Sequence, residues 1–364
     1  MKIGFDAKRA FHNLTGLGNY SRSVIKSVSN TQPTSQLYLF TTSIKNNIFK
    51  PTNQNTHTVA PKRFINKNYW RLNGVNKELK NLNINIFHGL SNEIPFGINI
   101  KSIVTIHDLL FLKYPKYYNF FDRNIYEFKS KYACKKSSQI IATSKQTKQD
   151  IINYFNIDEK KIKVIYQSCH SDFIKCEENA RLIYEFKDEL RDPYILYVGS
   201  IEERKNLLFL LQAIKHIKEV RLICVGKKTK YYKKVHKFIC KNNLVERVSF
   251  LNVEDSKKLS LIYQKSRGLV FPSIDEGFGI PIIEAMYSKV PVITSNKSVF
   301  KEIAGKNSYF FEENKIDSLI AEIKKIWFDS QDRDHRIQLN LNYVKKFNEE
   351  NQAVEIIKMY RKLI

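Results

Sequence analysis

A chain of 364 residues, 43% apolar and 13% aromatic, is long enough for two packed domains and too apolar for a disordered polymer. Its 61 Lys+Arg against 36 Asp+Glu leave a formal charge of +25, which points to an anionic partner: a phosphorylated small molecule, an acidic membrane surface or nucleic acid. The odd set Cys134, Cys169, Cys176, Cys224 and Cys240 contains no CxxC and no zinc spacing with histidine, so reduced thiols are expected rather than a disulfide scaffold.

The opening MKIGFDAKRAF reads as a strand, KIGFD (2–6), without the long apolar stretch of a signal peptide. No later run approaches the ~20 apolar residues of a membrane span, so a cytoplasmic protein is expected, peripheral on the inner membrane face at most. After this strand comes TGLGNY (15–20), in which Gly16 and Gly18 let the backbone approach a ligand ahead of a helix N-terminus. The dinucleotide fingerprint would need a third glycine where Ser21 and Arg22 follow, and an ordinary strand-to-helix loop is the alternative.

Further short apolar runs follow: LYLFTT (37–42), INIFHG (84–89), SIVTIHD (102–108), QIIATS (139–144) and KVIYQS (163–168). They are mostly unalternating, as suits strands buried on both faces of a parallel sheet. His107 and Asp108 close the fourth of these six strands, where an open α/β sheet lines its ligand crevice; a histidine satisfied by local hydrogen bonds is the alternative. His88, in FHGLSNEIP (87–95), is a weaker case of the same kind. KYPKYYNFFDRNIYEFKSKYACKK (113–136) mixes cations with aromatics and suits lipid headgroups, or an ordinary exposed helix pair. QTKQDIINYF (146–155) is an amphipathic helix.

The polar stretch 170–193 ends in Asp-Pro, and the strand series then restarts. The expected domains are therefore 1–180 and 190–349, with a C-terminal helix at about 350–364 packing back on the first. YILYVGS (194–200) ends at Gly199 and Ser200, and Arg204 and Lys205 precede the apolar helix NLLFLLQAIKHI (206–217). Two cations there make either a diphosphate clamp or a solvated basic loop. RLICVG (221–226), VSFLNV (248–253), GLVFPS (268–273) and VPVITS (290–295) complete the second series. Between the last two lies EGFGIPIIEAM, with Pro281 suited to a first helical turn. The amides of Gly279 and Ile280 would face an occupant of the crevice. Glu284 could reach hydroxyls such as those of a ribose, and Glu276 at the strand end could meet a polar or developing positive group. Alternation of strands and helices argues for doubly wound α/β domains.

In this order the segments resemble the retaining family 4 glycosyltransferases over nearly the full length. EGFGIPIIE matches the family's Glu-x7-Glu motif, supported by TGLGNY, VTIHDL, IIATSKQTKQDI with IKVIYQ, VGSIEERKNL and PVITSN. Within the family, the HDL, SxxTK and RKN arrangement looks like the bacterial mannosyl- and rhamnosyltransferases of surface polysaccharide assembly. The resemblance implies a GT-B fold of two Rossmann-like domains facing each other across a cleft, the first for acceptor and the second for donor. It implies a metal-independent, cofactor-free hexosyltransferase, GDP-mannose leading and UDP- or dTDP-sugars behind. The acceptor implied is a hydroxyl of a glycan or polyprenyl-linked glycan. Carried over by position, Arg204 and Lys205 would hold the diphosphate beside Gly199 and Ser200, and Glu284 the ribose. Glu276, with the Gly277, Phe278, Gly279 and Ile280 segment, would meet sugar and phosphates. His107 would lie beside the sugar, and Gly16 and Gly18 would cover the diphosphate or admit acceptor. Ser200 stands where many relatives carry Arg, and Lys289 where a glycine usually precedes PV.

Three rivals are disfavoured. A metal-dependent transferase would need Asp-x-Asp at a strand end, and Asp332-Arg333-Asp334 falls in a charged helical region. A nicotinamide dehydrogenase lacks its glycine fingerprint, and a nucleic-acid-binding protein lacks a basic aromatic groove or known module.

Overall fold

The computed structural model describes residues 1–44, 48–62, 66–175, 185–186, 190 and 192–364; Cys176 and much of the 170–193 linker lie outside these. The chain forms two units, Met1–Ser168 with Phe347–Ile364, and Cys169–Lys346.

The first unit is built on seven strands: β1 (Lys2–Asp6), β2 (Gln36–Phe40), β3 (Thr56–Val59), β4 (Ile86–Gly89), β5 (Lys101–Ile106), β6 (Gln139–Ala142) and β7 (Ile162–Val164). All neighbours pair in parallel, in the order β3-β2-β1-β4-β5-β6-β7. Helices α1 (Gly16–Thr31) and α2 (Phe120–Lys136) belong to this unit. The second carries β8 (Ile195–Val198), β9 (Leu222–Val225), β10 (Val248–Leu251), β11 (Gly268–Phe271), β12 (Val292–Ser295) and β13 (Tyr309–Phe311). Its order, β10-β9-β8-β11-β12-β13, repeats the doubly wound pattern. Its helices include α3 (Leu207–Lys215), α4 (Ser256–Lys265) and α5 (Ile280–Tyr287). The last helix, α6 (Glu349–Leu363), packs on α1 in the first unit.

The period-2 side-chain alternation of strands sorts the first sheet's residues onto two cores. Ile3, Phe5, Ile86 and Ile103 join Val24 and Val28 of α1 and Ile356 and Tyr360 of α6. Phe87, Val104 and Ile106 face the other way, onto Trp70, Ala133 and Ile151. His88 and Thr105 sit one residue out of step with Phe87 and Val104, so they share the α1/α6 face. Two strands escape the sequence pattern. Edge strand β3, THTV, is half-exposed and not apolar, and β13 has only three residues.

Candidate active site

Both sheets reverse strand order at one point, β1/β4 in the first unit and β8/β11 in the second. Ligands of doubly wound folds bind outside the carboxyl ends of strands at such points. The residues flagged in the second unit gather at the end of β8 and β11.

β8 is followed by Gly199, whose N–H donates to Val225 O at 2.9 Å, and Tyr197 Oη donates to Ser200 O at 3.1 Å. A 3₁₀ turn, Glu203–Lys205, then carries the two cations into α3. Arg204 Nη1 donates to Asp275 O at 2.7 Å and lies 3.0 Å from Glu276 Oε1, while Nη2 reaches Glu202 Oε1 at 3.0 Å. Lys205 Nζ donates to Glu276 Oε1 at 2.5 Å and lies over the Phe271 ring at 5.6 Å. Ser273 Oγ donates to the same carboxyl oxygen at 2.6 Å. Burial pushes the Glu276 carboxyl up, but Lys205, Arg204 and the Ser273 hydroxyl outweigh it and bring the pKa down to about 2. Glu276 is thus ionised at every working pH, held by two cations that an incoming anion would have to share.

Three residues on, Gly279 adopts φ +111°, a left-handed conformation that costs a Cβ-bearing residue about 1–2 kcal/mol. This turn aims the chain into α5, with Pro281 in its first turn and the Phe278 side chain buried beneath. One turn into α5, Glu284 Oε2 accepts from Tyr263 Oη of α4 at 3.0 Å. Burial raises the Glu284 pKa to about 7, against the lowering effect of the Tyr263 hydrogen bond. The two glutamates of the motif are therefore electrostatic opposites. Glu276 is a paired, permanent anion; Glu284 is a carboxyl whose charge is set near neutral pH. Neither Ser273 nor Tyr263 stood out in the sequence. Ser273 lies in FPS beside the motif, whereas Tyr263 sits in an ordinary helical pattern with no local mark.

In the first unit, His107 follows β5. Its Nε2 lies 2.9 Å from Leu90 O, an acceptor, so this nitrogen carries the proton and donates, leaving Nδ1 as the ring's acceptor. Its backbone N–H donates to Asn92 Oδ1 at 2.9 Å, and Tyr20 stands edge-on to the ring, centroids 4.6 Å apart at 90°. Burial lowers the His107 pKa to about 4, so the ring is neutral. Gly18 lies where a Cβ would come within 1.8 Å of Asn13 O, so only glycine fits. Asn13 Oδ1 accepts from the Thr15 and Gly18 N–H groups at 2.8 and 3.2 Å, and Arg22 Nη1 donates to Asn13 O at 2.8 Å. Gly16 has open space around its missing Cβ. The Asp-x-Asp pair lies in the helix Ser330–Val344, where Asp332 accepts from Arg336 Nε at 2.8 Å and from Tyr309 Oη at 2.8 Å.

Among known proteins, residues 36–171 match the family described as Glycosyltransferase Family 4 and residues 182–340 that described as Glycosyl transferases group 1. The O-antigen chain mannosyltransferase RfbU of Salmonella typhimurium is 32% identical over 250 residues, 68% of this chain and 66% of that protein. The O-antigen chain mannosyltransferase B of Escherichia coli is 27% identical and aligns over 100% of both chains. Anabaena HepE, solved in complex with UDP and glucose, superposes with a TM-score of 0.77 at 16% identity over 100% of both chains. That likeness, with the two sheet orders, establishes the GT-B glycosyltransferase fold.

Proposed function

Because the chain belongs to glycosyltransferase family 4, we propose that it transfers a mannosyl residue from a nucleotide-diphosphate mannose, GDP-mannose first, to a glycan hydroxyl in bacterial surface polysaccharide assembly. The observation that carries the reading is the convergence of Arg204, Lys205 and Glu276 at the ends of β8 and β11. Two cations held ready by one carboxylate suit a diphosphate, and they supply the neutralisation that a divalent ion supplies elsewhere. The mannose assignment draws on what the O-antigen relatives are named for.

In this reading Arg204 and Lys205 bind the diphosphate and stabilise it as it leaves, with Gly199 and Ser200 beside it. The amides of Phe278, Gly279 and Ile280 add hydrogen bonds to phosphate or sugar, and Glu284 accepts from the ribose hydroxyls. His107 is the sugar's partner from the first unit, and Gly16 and Gly18 serve the diphosphate or the acceptor. Transfer is retaining: the bond from the anomeric carbon to the diphosphate oxygen breaks, and the acceptor oxygen bonds on the same face. The acceptor proton passes to the leaving diphosphate.

Among the described residues no helix is long and apolar enough to cross a membrane. The acceptor is proposed to be polyprenyl-linked and met at the inner face of the cytoplasmic membrane, against which α2 lies.

A thermal-shift panel of GDP-, UDP- and dTDP-sugars, followed by turnover of the best binder in excess chelator, tests the reading. GDP-mannose is expected to give the largest shift and full turnover without metal. A preference for a UDP- or dTDP-sugar would move the donor assignment, and turnover restored only by manganese would remove the two-cation mechanism. Tight, salt-sensitive oligonucleotide binding with no response to any nucleotide sugar would favour a nucleic-acid partner instead.

A further inference from the structure

A buried polar chain runs through the α1/α6 face of the first unit. Tyr360 Oη of α6 lies 2.6 Å from His88 Nδ1 on β4, and His88 Nε2 lies 2.9 Å from Thr105 Oγ1 on β5. Thr105 Oγ1 in turn lies 3.0 Å from Tyr20 Oη of α1. All four side chains are buried: Tyr360, His88 and Thr105 at 0% exposure and Tyr20 at 4%. Burial, together with His107 nearby, lowers the His88 pKa to about 3, so the ring is neutral and must donate from one nitrogen and accept at the other. The chain meets that demand read either way: Tyr360 donating to Nδ1, Nε2–H to Thr105 and the threonine hydroxyl to Tyr20, or each of the three donations reversed. Buried polar groups in an apolar core are destabilising unless each is paired, and here each is.

The chain ends on the ring that stands against His107. Tyr20 follows the first turn of α1, which carries Gly16 and Gly18, and Thr105 lies on β5 two residues before His107.

We propose that Tyr360, His88, Thr105 and Tyr20 act as positioning residues, a relay by which the C-terminal helix α6 fixes the ring of His107. The relay rests on the reading that His107 serves the donor sugar. Its members touch no substrate; they act through the Tyr20 ring, which with Leu90 O confines the His107 imidazole to one orientation and one tautomer. Displacements of an ångström in such a group lower turnover steeply.

The test uses Thr105→Val, which keeps the shape and removes the hydroxyl, and Thr105→Ser, which keeps the hydroxyl. With the full chain labelled with ¹⁵N in histidine, the wild type is expected to show His107 as a single Nε2–H tautomer. Thr105→Val is expected to broaden or split that signal and to lower kcat about tenfold with the donor KM within about twofold. Thr105→Ser is expected to restore both readouts. Tyr20→Phe supplies the same comparison should Thr105→Val fold poorly. An unchanged His107 signal and wild-type kcat in a folded Thr105→Val or Tyr20→Phe chain would overturn the relay. His107→Ala, measured alongside, separates the two ideas. Normal turnover there would remove His107 from the reaction, while the tautomer signal alone would still decide whether the relay positions it.

Discussion

At the scale of single residues, the site sets one permanent anion against one titrating acid. Glu276 holds Lys205 and Arg204 in place before any donor arrives, and this decides what each truncation does. Lys205→Ala should lower turnover by roughly 10²–10³-fold, the usual loss for one electrostatic stabiliser of a leaving group. Steady-state kinetics near wild-type values would remove Lys205 from the mechanism. Glu276→Gln releases both cations, so nucleoside diphosphate should bind no more weakly, by calorimetry, while transfer slows. A large loss of diphosphate affinity would instead place Glu276 in direct donor binding. Glu284 behaves differently. Its folded pKa of about 7 lies above an unfolded carboxyl's, so the free enzyme favours its protonated form, and this contribution to stability falls as pH rises from about 4.5 towards 7. Ribose hydroxyls need the ionised form as acceptor, so nucleotide affinity should tighten as pH rises through about 7. Glu284→Ala should lose both the affinity and its pH dependence; an Ala variant with the wild-type pH profile would assign that titration elsewhere.

At the scale of elements, the strand runs and the helix after each were readable because short buried strands and amphipathic helices carry different periods. The readable strands were all those of the sheet interiors and the two edge strands, β7 and β10, that keep apolar residues. The edge strand β3, THTV, was missed because its exposed position does not dictate an apolar run, and β13 because three residues are too few to set a period. Helix α2 carries an apolar stripe on its exposed face. Phe121, Ile125 and Phe128 stand at i, i+4 and i+7, exposed by 73%, 50% and 62%, among Arg123, Lys131, Lys135 and Lys136. A stripe of this kind is suited to the headgroup boundary of an anionic bilayer. Phe121→Ser with Phe128→Ser should abolish sedimentation with phosphatidylglycerol vesicles at low salt and leave donor hydrolysis or transfer to soluble acceptors intact. Equal sedimentation of the variant would release α2 from membrane contact.

At the scale of the whole molecule, the chain leaves the first unit at Ser168 and re-enters it at Phe347, so that unit is complete only when the C-terminus has been made. α6 contributes Ile356, Ile357, Met359 and Tyr360 to its core, and their burial is worth on the order of 6–12 kcal/mol. That is comparable with the entire stability of a domain. A chain ending at Lys346 should therefore lose hydrogen-exchange protection in β1–β7 while β8–β13 keep theirs. Wild-type protection throughout β1–β7 would show that α6 is dispensable.

The sequence by itself determined the local chemistry: strands followed by polar turns, a glycine that only a close approach or a positive φ explains, two cations before a helix and two acids around a turn. Short-range residue types encode these, because backbone conformation and helix starts respond to neighbours a few positions away. The tertiary structure alone decided which of these pieces meet. Lys205 and Glu276 lie 71 positions apart and touch because β8 and β11 adjoin at the strand-order reversal. Tyr263 meets Glu284 because α4 packs on α5, and Tyr360 meets His88 across 272 positions because α6 packs into the core of the first sheet. Sheet order follows from the packing of the whole apolar core, and no local stretch of residues carries that information.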